Sequence, residues 1–453
     1  MKQINISEYN SIFFSGIGGI SISAVAFILA GRGYKVSGSD IVSSPMTQKL
    51  EDAGIRVAIG HAAENVGDAQ LFVYNARIKE DNPEMMAARE KGIPCVTRAQ
   101  MIGVMMQDVP CPIGIAGTHG KSTATAMAGQ VFLSANADPT ILIGADYAPI
   151  AGTYRVGSGE HFIFEACEYT DSFLSFFPKI AVILNVEMDH PDYFKDISQM
   201  IDSFRRFTDI AGKDGYAVVN ADSFHALESV KDYEGTICKF SLSDESCDVY
   251  AKNLRYENCK GRFELYQRGE KRADISLSVP GEFNVSNALA VCAAALICGI
   301  DGEAIARGLS EFRGTAHRFE MKGTYNGADV IDDYAHHPTA VEATLRFVKM
   351  MDYKRVWCIF QPHTYTRTKD LLDEFAGALR IADIVILPDI YTATEKDVYG
   401  VSSRDLADKI EGAMYIPSFA EIEKHLRKEV RPGDLVLTMG AGLAYKIADA
   451  LIK

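Results

Sequence analysis

The stretch "GIAGTHGKSTATAM", residues 114–127, decides the fold. An apolar run, "PIGIA" (112–116), enters a glycine-rich turn and leaves into a helical pattern, the strand–turn–helix order of a phosphate-binding loop. In such loops successive backbone N–H groups cradle phosphate oxygens, a lysine reaches the β and γ phosphates, and the hydroxyl that follows binds magnesium. Gly120, Lys121 and Ser122 supply that core, and Gly117, Thr118, His119 and Thr123 complete the candidate ATP-binding turn. The pattern departs from the general form at Ile115, where a first glycine is usual; glycines stand at 114 and 117 instead.

Magnesium prefers oxygen ligands, and in open α/β sheets ligands collect at the carboxyl ends of strands. The next apolar strand, "HFIFEACEYTDSF" (161–173), delivers Glu165, Glu168 and Asp171 there, one of which is expected to meet the metal. The strand after it, "KIAVILNVEMDHPDYF" (179–194), ends in Asn185, Asp189 and His190. Acid and imidazole are thus expected in one crevice.

Outward toward the N-terminus, "SIFF" (11–14), "SGIGG" (15–19) and "ISISAVAFILAGRG" (20–33) read as strand, tight turn and helix, and "YKVSGSD" (34–40) as a second strand ending in an acid. This is a Rossmann-like opening, with Gly16 and Gly18 allowing close approach of a phosphate to the helix start. The third glycine of the dinucleotide fingerprint is replaced by Ser21, while Asp40 stands where a ribose would bind. On these residues alone a nicotinamide-dependent dehydrogenase, another nucleotide ligand and glycines that merely permit packing all stay open.

Two joints divide the chain. "MMQDVPCP" (105–112) brackets Cys111 with prolines, and "FRGTAHRFE" (312–320) precedes a run of strands, "ADVIDDY" (328–334), "RVWCIF" (355–360), "ADIVIL" (382–387) and "DLVLTMG" (434–440), separated by helical patterns. The expectation is an α/β protein of three domains: a Rossmann-like N-terminal domain over 1–107, a central P-loop ATPase-type domain with a parallel sheet over 108–313, and a Rossmann-like C-terminal domain over 314–453. A length of 453 residues suits that count.

A formal charge of −14 argues against nucleic-acid binding or attachment to anionic lipid, so an anionic ligand must meet local positive pockets. The start "MKQINISEYN" lacks the order of a signal peptide, and the apolar run "ALAVCAAALICGI" (288–300) is too short to cross a bilayer; it reads as a buried helix. Nine cysteines, from Cys95 to Cys358, show neither a CxxC pair nor a regular framework. They read as free thiols of a cytoplasmic protein, with Cys292 and Cys298 in the core and no zinc motif.

Taken in order, "GIAGTHGKSTATAM", "EACEYTDSF", "NVEMDHPDYF", "DDYAHHPT" and "FQPHTYTRT" resemble the Mur ligases of bacterial peptidoglycan synthesis, and the similarity runs over essentially the whole chain, "GIGGIS" and "GSD" included. The motifs are most similar to the branch that joins L-alanine to the lactyl carboxylate of UDP-N-acetylmuramate. A sister branch that recycles murein tripeptide shares "AGTHGK"; "FQPHTYTRT" is the more discriminating segment. The resemblance implies that the N-terminal domain binds the UDP group, through Gly16, Ile17, Gly18, Gly19, Ser39 and Asp40. It implies that the central domain binds ATP and that the C-terminal domain binds the amino acid and closes over the site.

The same resemblance implies roles for single residues. Lys121 contacts the β and γ phosphates; Ser122, Glu168 and His190 hold magnesium or manganese. Asn284 and Asn287 lie near the adenine, with Phe283 replacing a common histidine. Arg318 faces the phosphates, Asp333 and Tyr334 lie against the nucleotide, and His363 and Arg367 meet the amino acid and the acyl phosphate. Asp332, His336 and His337 carry no single role. His317, Ala340, Thr364 and Leu443 replace an arginine, a glutamate, an arginine and an aspartate that are common in relatives. The implied chemistry is attack of the lactyl carboxylate on the γ-phosphate, then attack of the neutral amine on the acyl phosphate, with ADP and phosphate as products. The implied assembly is a monomer or homodimer. A nucleotide-binding protein without ligase activity is the reading of another class.

Overall fold

The computed structural model describes residues 4–75, 78–190, 193–257, 259–393 and 395–453, arranged as two compact units that meet in sequence at Arg313 and Gly314. The first unit holds two sheets. Five parallel strands, β1 (Ser11–Ser15), β2 (Lys35–Asp40), β3 (Arg56–Ile59), β4 (Leu71–Tyr74) and β5 (Cys95–Thr97), lie in the order β3-β2-β1-β4-β5. That is the doubly wound order, with the chain reversing direction across the sheet at β1. The glycine turn at 16–19 follows β1, at that switch point, and opens the helix Ile20–Gly31.

The second sheet has ten strands: β6 (Cys111–Ala116), β7 (Thr140–Tyr147), β8 (Gly152–Arg155), β9 (His161–Glu165), β10 (Ile180–Ile183), β11 (Tyr216–Asn220), β12 (Thr236–Ser241), β13 (Val249–Glu257), β14 (Lys260–Gln267) and β15 (Glu270–Pro280). Their order is β15-β14-β13-β12-β11-β10-β6-β9-β7-β8. The core from β13 to β7 is parallel, and antiparallel hairpins finish both edges. Strand β6 sits between β10 and β9, so the chain turns away from it on both sides and leaves a crevice above its carboxyl end.

Parallel strands covered on both faces need continuous apolar runs. Ile113 and Ile115 of β6 and Ile141 of β7 pack with Ala124, Met127 and Val131 of the helix Lys121–Ser134. On the same side lies the helix Glu282–Ile297, whose Val285, Leu289 and Cys292 are buried, as expected for the "ALAVCAAALICGI" run. Cys298 departs from the core reading: it is the C-cap of that helix and only part-buried.

The second unit is a six-stranded sheet of β16 (Glu320–Tyr325), β17 (Ala328–Asp333), β18 (Val356–Phe360), β19 (Ile384–Leu387), β20 (Met414–Tyr415) and β21 (Leu435–Met439), in the order β16-β17-β21-β18-β19-β20. All neighbours are parallel except the β16–β17 hairpin. The carboxyl ends of β17, β21 and β18 therefore lie side by side. They carry the "DDYAHHPT" segment, the glycine turn "GAG" (440–442) and the "FQPHTYTRT" segment.

Candidate active site

Gly120 shows why the loop after β6 has this sequence. Its φ of +84° is left-handed, and a Cβ there would stand 2.6 Å from Asn287 Oδ1, so only glycine fits. Asn287 itself comes from the first turns of Glu282–Ile297, and its amide donates to Asn284 Oδ1 at 3.4 Å, while Asn284 Nδ2 bonds Pro280 O at 2.7 Å. The two asparagines proposed for adenine thus sit beside the loop, both buried.

Lys121 opens the helix after the loop and folds back over it. Its Nζ donates to Gly117 O at 2.6 Å, Thr118 O at 3.1 Å and Glu168 Oε1 at 3.1 Å, and lies 2.9 Å from Glu168 Oε2. Glu168 is fully buried. Burial alone would lift the Glu168 carboxyl, yet Lys121 and His190 outweigh it and hold it below its ordinary value; burial likewise opposes a charged Lys121, and Glu168 with Cys167 and Glu165 raises it. Both groups stay ionised at neutral pH.

The other two acids of the strand are spoken for. Glu165 Oε2 accepts Gly144 N–H at 2.7 Å, and Asp171 accepts from Ser203 Oγ and pairs with Arg206 at 3.3 Å. Of the three, only Glu168 touches Lys121. Strand β9 ends at Glu165, and the chain then winds through a short helical segment in which Thr170 and Asp171 are left-handed. That winding separates the acids.

On the β10 side, Asn185 clamps the loop: its Oδ1 accepts His119 N–H at 2.8 Å and its Nδ2 donates to His119 O at 3.1 Å. Thr118 Oγ1 and the Glu187 backbone exchange bonds at 2.9 and 3.1 Å. His190 Nε2 lies 3.6 Å from Glu168 Oε1 and 3.8 Å from Asp189 Oδ2, with its ring 4.6 Å from that of Tyr169. His190 is left-handed too, at φ +53°. Such backbone strain at several non-glycine residues persists where the surroundings over-determine it, as at functional sites. Ser122 is buried at the helix start and Thr123 half-buried.

The N-terminal turn behaves differently. Gly16 and Ile17 N–H both donate to Ser39 O at 2.9 Å, and Gly18 N–H to Asp40 Oδ2 at 2.8 Å. These donors are therefore used within the protein, and Asp40 caps the turn through Oδ2. Gly19 is the N-cap of Ile20–Gly31. Ser39 and Ile17 are fully buried; the Ser39 hydroxyl donates to Glu84 Oε2 at 2.7 Å, an oxygen that also receives Ser15 Oγ and meets His61 Nδ1 at 2.9 Å. The side chains of Ser39 and Ile17 thus support the turn from beneath.

Arg98 was not among the residues expected from sequence. It is the first residue of the helix Arg98–Met106, and its guanidinium donates to Ser21 Oγ at 2.6 Å. Burial pulls its pKa down, opposed by Cys167 and Glu165. A cation in a helix's first turn opposes the helix dipole, and that cost was the available signal.

In the second unit, Arg318 stacks over the Tyr334 ring at 4.5 Å, the Tyr334 and His336 rings are 5.1 Å apart, and His336 and His363 are 5.9 Å apart. Arg367 Nη1 lies 3.5 Å from His363 Nδ1. Burial and then Arg367 push His336 down to about 3 and lower His363, so both imidazoles are neutral donors or acceptors. Asp333 is used structurally: its carboxylate accepts Ala335 N–H at 2.7 Å and Phe319 N–H at 2.9 Å. Asp332 is buried and holds His317 Nδ1 at 2.6 Å, which raises the His317 pKa. His337 is the N-cap of Pro338–Lys349, whose first turn, with Ala340, carries no acid. Thr364 is left-handed at φ +63°, and Leu443 N–H reaches Gln361 Oε1 at 2.6 Å.

Comparison with known proteins agrees with this geometry. The models of the Mur ligase family match in series: the catalytic domain over residues 11–109, the middle domain over 115–295, and the glutamate ligase domain over 317–442. The chain belongs to the Mur ligase family. Among curated relatives, the UDP-N-acetylmuramate--L-alanine ligase of Acetivibrio thermocellus is 44% identical, covering 100% of this chain and 98% of that one. The enzyme of the same name from Lachnospira eligens is 46% identical over 100% of both. Among solved structures, the UDP-N-acetylmuramate-alanine ligase of Thermotoga maritima superposes with a TM-score of 0.80 at 26% identity, over 98% of each chain. With family membership shown, the nicotinamide-dependent dehydrogenase reading of the first turn gives way to a ligase.

Proposed function

We propose that this Mur ligase joins L-alanine to the lactyl carboxylate of UDP-N-acetylmuramate at the expense of ATP, in peptidoglycan precursor synthesis in the bacterial cytoplasm. The observation that carries the reading is the buried Lys121–Glu168 pair beneath the glycine turn at the switch point of β6, in a chain whose full-length relatives bear that enzyme's name. The proposed domains are 1–107 for the UDP substrate, 108–313 for ATP and 314–453 for the amino acid.

A carboxylate does not react with an amine until its oxygen becomes a leaving group, and phosphorylation by ATP achieves this. Gly117, Thr118, His119, Gly120 and Thr123 form the cradle for the phosphates, Lys121 turns from its carbonyl partners to the β and γ phosphates, and Asn284 and Asn287 bound the adenine. Arg98, at two adjoining helix starts, suits an anionic part of the UDP substrate, with Gly16, Gly18 and Gly19 shaping the turn and Ser39 and Asp40 holding it. In the second unit Arg318 and Tyr334 attend the nucleotide, and His363 and Arg367 the incoming amino acid; a planar guanidinium binds two carboxylate oxygens at once.

Magnesium fits the residues present. Glu168 Oε2 is buried, with the Lys121 ammonium 2.9 Å away and no other partner among the described residues, and a hydroxyl, a carboxylate and an imidazole are the donors on offer. Ser122, Glu168 and His190 would hold the ion, which when bound neutralises phosphate charge. The test is phosphate release from ATP with UDP-N-acetylmuramate and magnesium, adding L-alanine, murein tripeptide or no acceptor. Release with alanine and a product heavier by one alanyl residue is expected; release with tripeptide alone moves the enzyme to the recycling branch, and silence throughout makes it a binding protein.

A further inference from the structure

Cys111, His161 and Cys298 come from three distant segments and meet at the opposite end of β6 from the phosphate loop. Cys111 begins β6 and His161 begins β9, where the two are paired residues of neighbouring parallel strands. Cys298 caps the helix Glu282–Ile297, and its Sγ lies 3.8 Å from Cys111 Sγ. One ligand atom from each of the three side chains lies within 4.8 Å of the other two. His161 Nδ1 is buried and accepts or donates no hydrogen bond, and the ring is held edge-on by Phe132 at a centroid distance of 4.9 Å. Strand β6 places this cluster roughly 17 Å from the loop's base, at about 3.3 Å per residue.

The distances match one coordination chemistry. Two sulfurs bound to one zinc at about 2.3 Å and the tetrahedral angle stand about 3.8 Å apart, and a zinc-bound sulfur and imidazole nitrogen about 3.5 Å apart. The sulfurs are already at that separation, and the imidazole, within 4.8 Å of both, needs to close by about 1.3 Å at most. Two thiols and an imidazole favour zinc over the hard, oxygen-seeking magnesium of the phosphate loop. All three side chains are part-buried, which leaves the fourth position to water.

We propose that Cys111, His161 and Cys298 form a zinc site, separate from the catalytic centre, that fastens the end of the helix Glu282–Ile297 to the starts of β6 and β9. The test uses the full-length protein, reduced and stripped with chelator, titrated with cobalt(II) as the spectroscopic probe. One equivalent should give thiolate-to-cobalt charge-transfer and tetrahedral d–d bands that one equivalent of zinc abolishes. The bands should vanish in Cys111→Ala and Cys298→Ala, weaken in affinity by at least about tenfold in His161→Gln, and persist in Lys121→Met. Absence of thiolate bands in the wild type, or their persistence without either cysteine, overturns the site. Should the cysteine variants not fold, alkylation of the wild type decides: zinc should slow modification of Cys111 and Cys298 at least about tenfold while leaving Cys95 unchanged, and equal rates overturn the proposal. A Cys111–Cys298 disulfide forming with no metal bands also overturns it.

Discussion

Replacing Glu168 by glutamine removes the negative half of a buried ion pair while keeping its shape. Lys121 then keeps two carbonyl acceptors, Gly117 O and Thr118 O, but loses the carboxylate at 2.9 Å that justifies its charge. Breaking one side of such a pair costs about 3–5 kcal/mol. At about 2–3 °C per kcal/mol for a large unit, Glu168→Gln should lower the first unit's melting temperature by roughly 6–15 °C. In Lys121→Met/Glu168→Gln no charge is left stranded, so the double variant should recover to within about 1–2 kcal/mol of the wild type, while both variants should be inactive in the ligation assay. The pH dependence has a definite sign. Glu168 is held below its ordinary 4.5, so its contribution is present above that pH and lost as pH falls through the folded value; Lys121 is raised above 10.5, so its contribution is present below that pH and lost as pH rises through the folded value. The stability gap between wild type and Glu168→Gln should therefore be flat from about pH 5 to 10 and close in acid. A single variant as stable as the wild type at pH 7, or a double variant no better than the single, refutes the pair as an electrostatic unit.

Other outcomes follow from the same geometry. Gly120→Ala forces a side chain into a left-handed position, at about 1–2 kcal/mol, and against Asn287, so ATP affinity measured by calorimetry should fall at least about tenfold. Arg367→Lys keeps the charge but loses the planar fork, and should raise the KM for L-alanine about tenfold or more with an unchanged melting temperature. His336, pushed down to about 3, should show no imidazole titration by NMR between pH 5 and 8 in the free enzyme; because its folded pKa is depressed, it contributes a loss of stability as pH falls below 6.5. An ordinary titration near 6.5 would contradict the combined effect of its half-buried setting and the neighbouring Arg367.

The strand–turn–helix at 114–127 was legible because its signals are local: an apolar run, a left-handed glycine and a lysine at fixed spacing. The competition among Glu165, Glu168 and Asp171 was not, since it is settled by partners far along the chain, Gly144 for the first and Ser203 with Arg206 for the last. Asp40 stands where a dinucleotide fold binds a ribose, and Ser39 joins the UDP set through the family resemblance alone. The buried Glu84, reached only through tertiary folding, draws the Ser39 hydroxyl inward, and the turn's own N–H groups claim Asp40 and the Ser39 carbonyl. The Cys111–His161–Cys298 cluster was invisible for the same reason, as its spacing follows from strand pairing and a helix end.

Ser21 stands where a dinucleotide motif would have glycine, and its hydroxyl receives Arg98 across two helix starts. A glycine at that position would complete the dinucleotide pattern but would remove the hydroxyl that holds the Arg98 guanidinium at the start of the helix Ile20–Gly31.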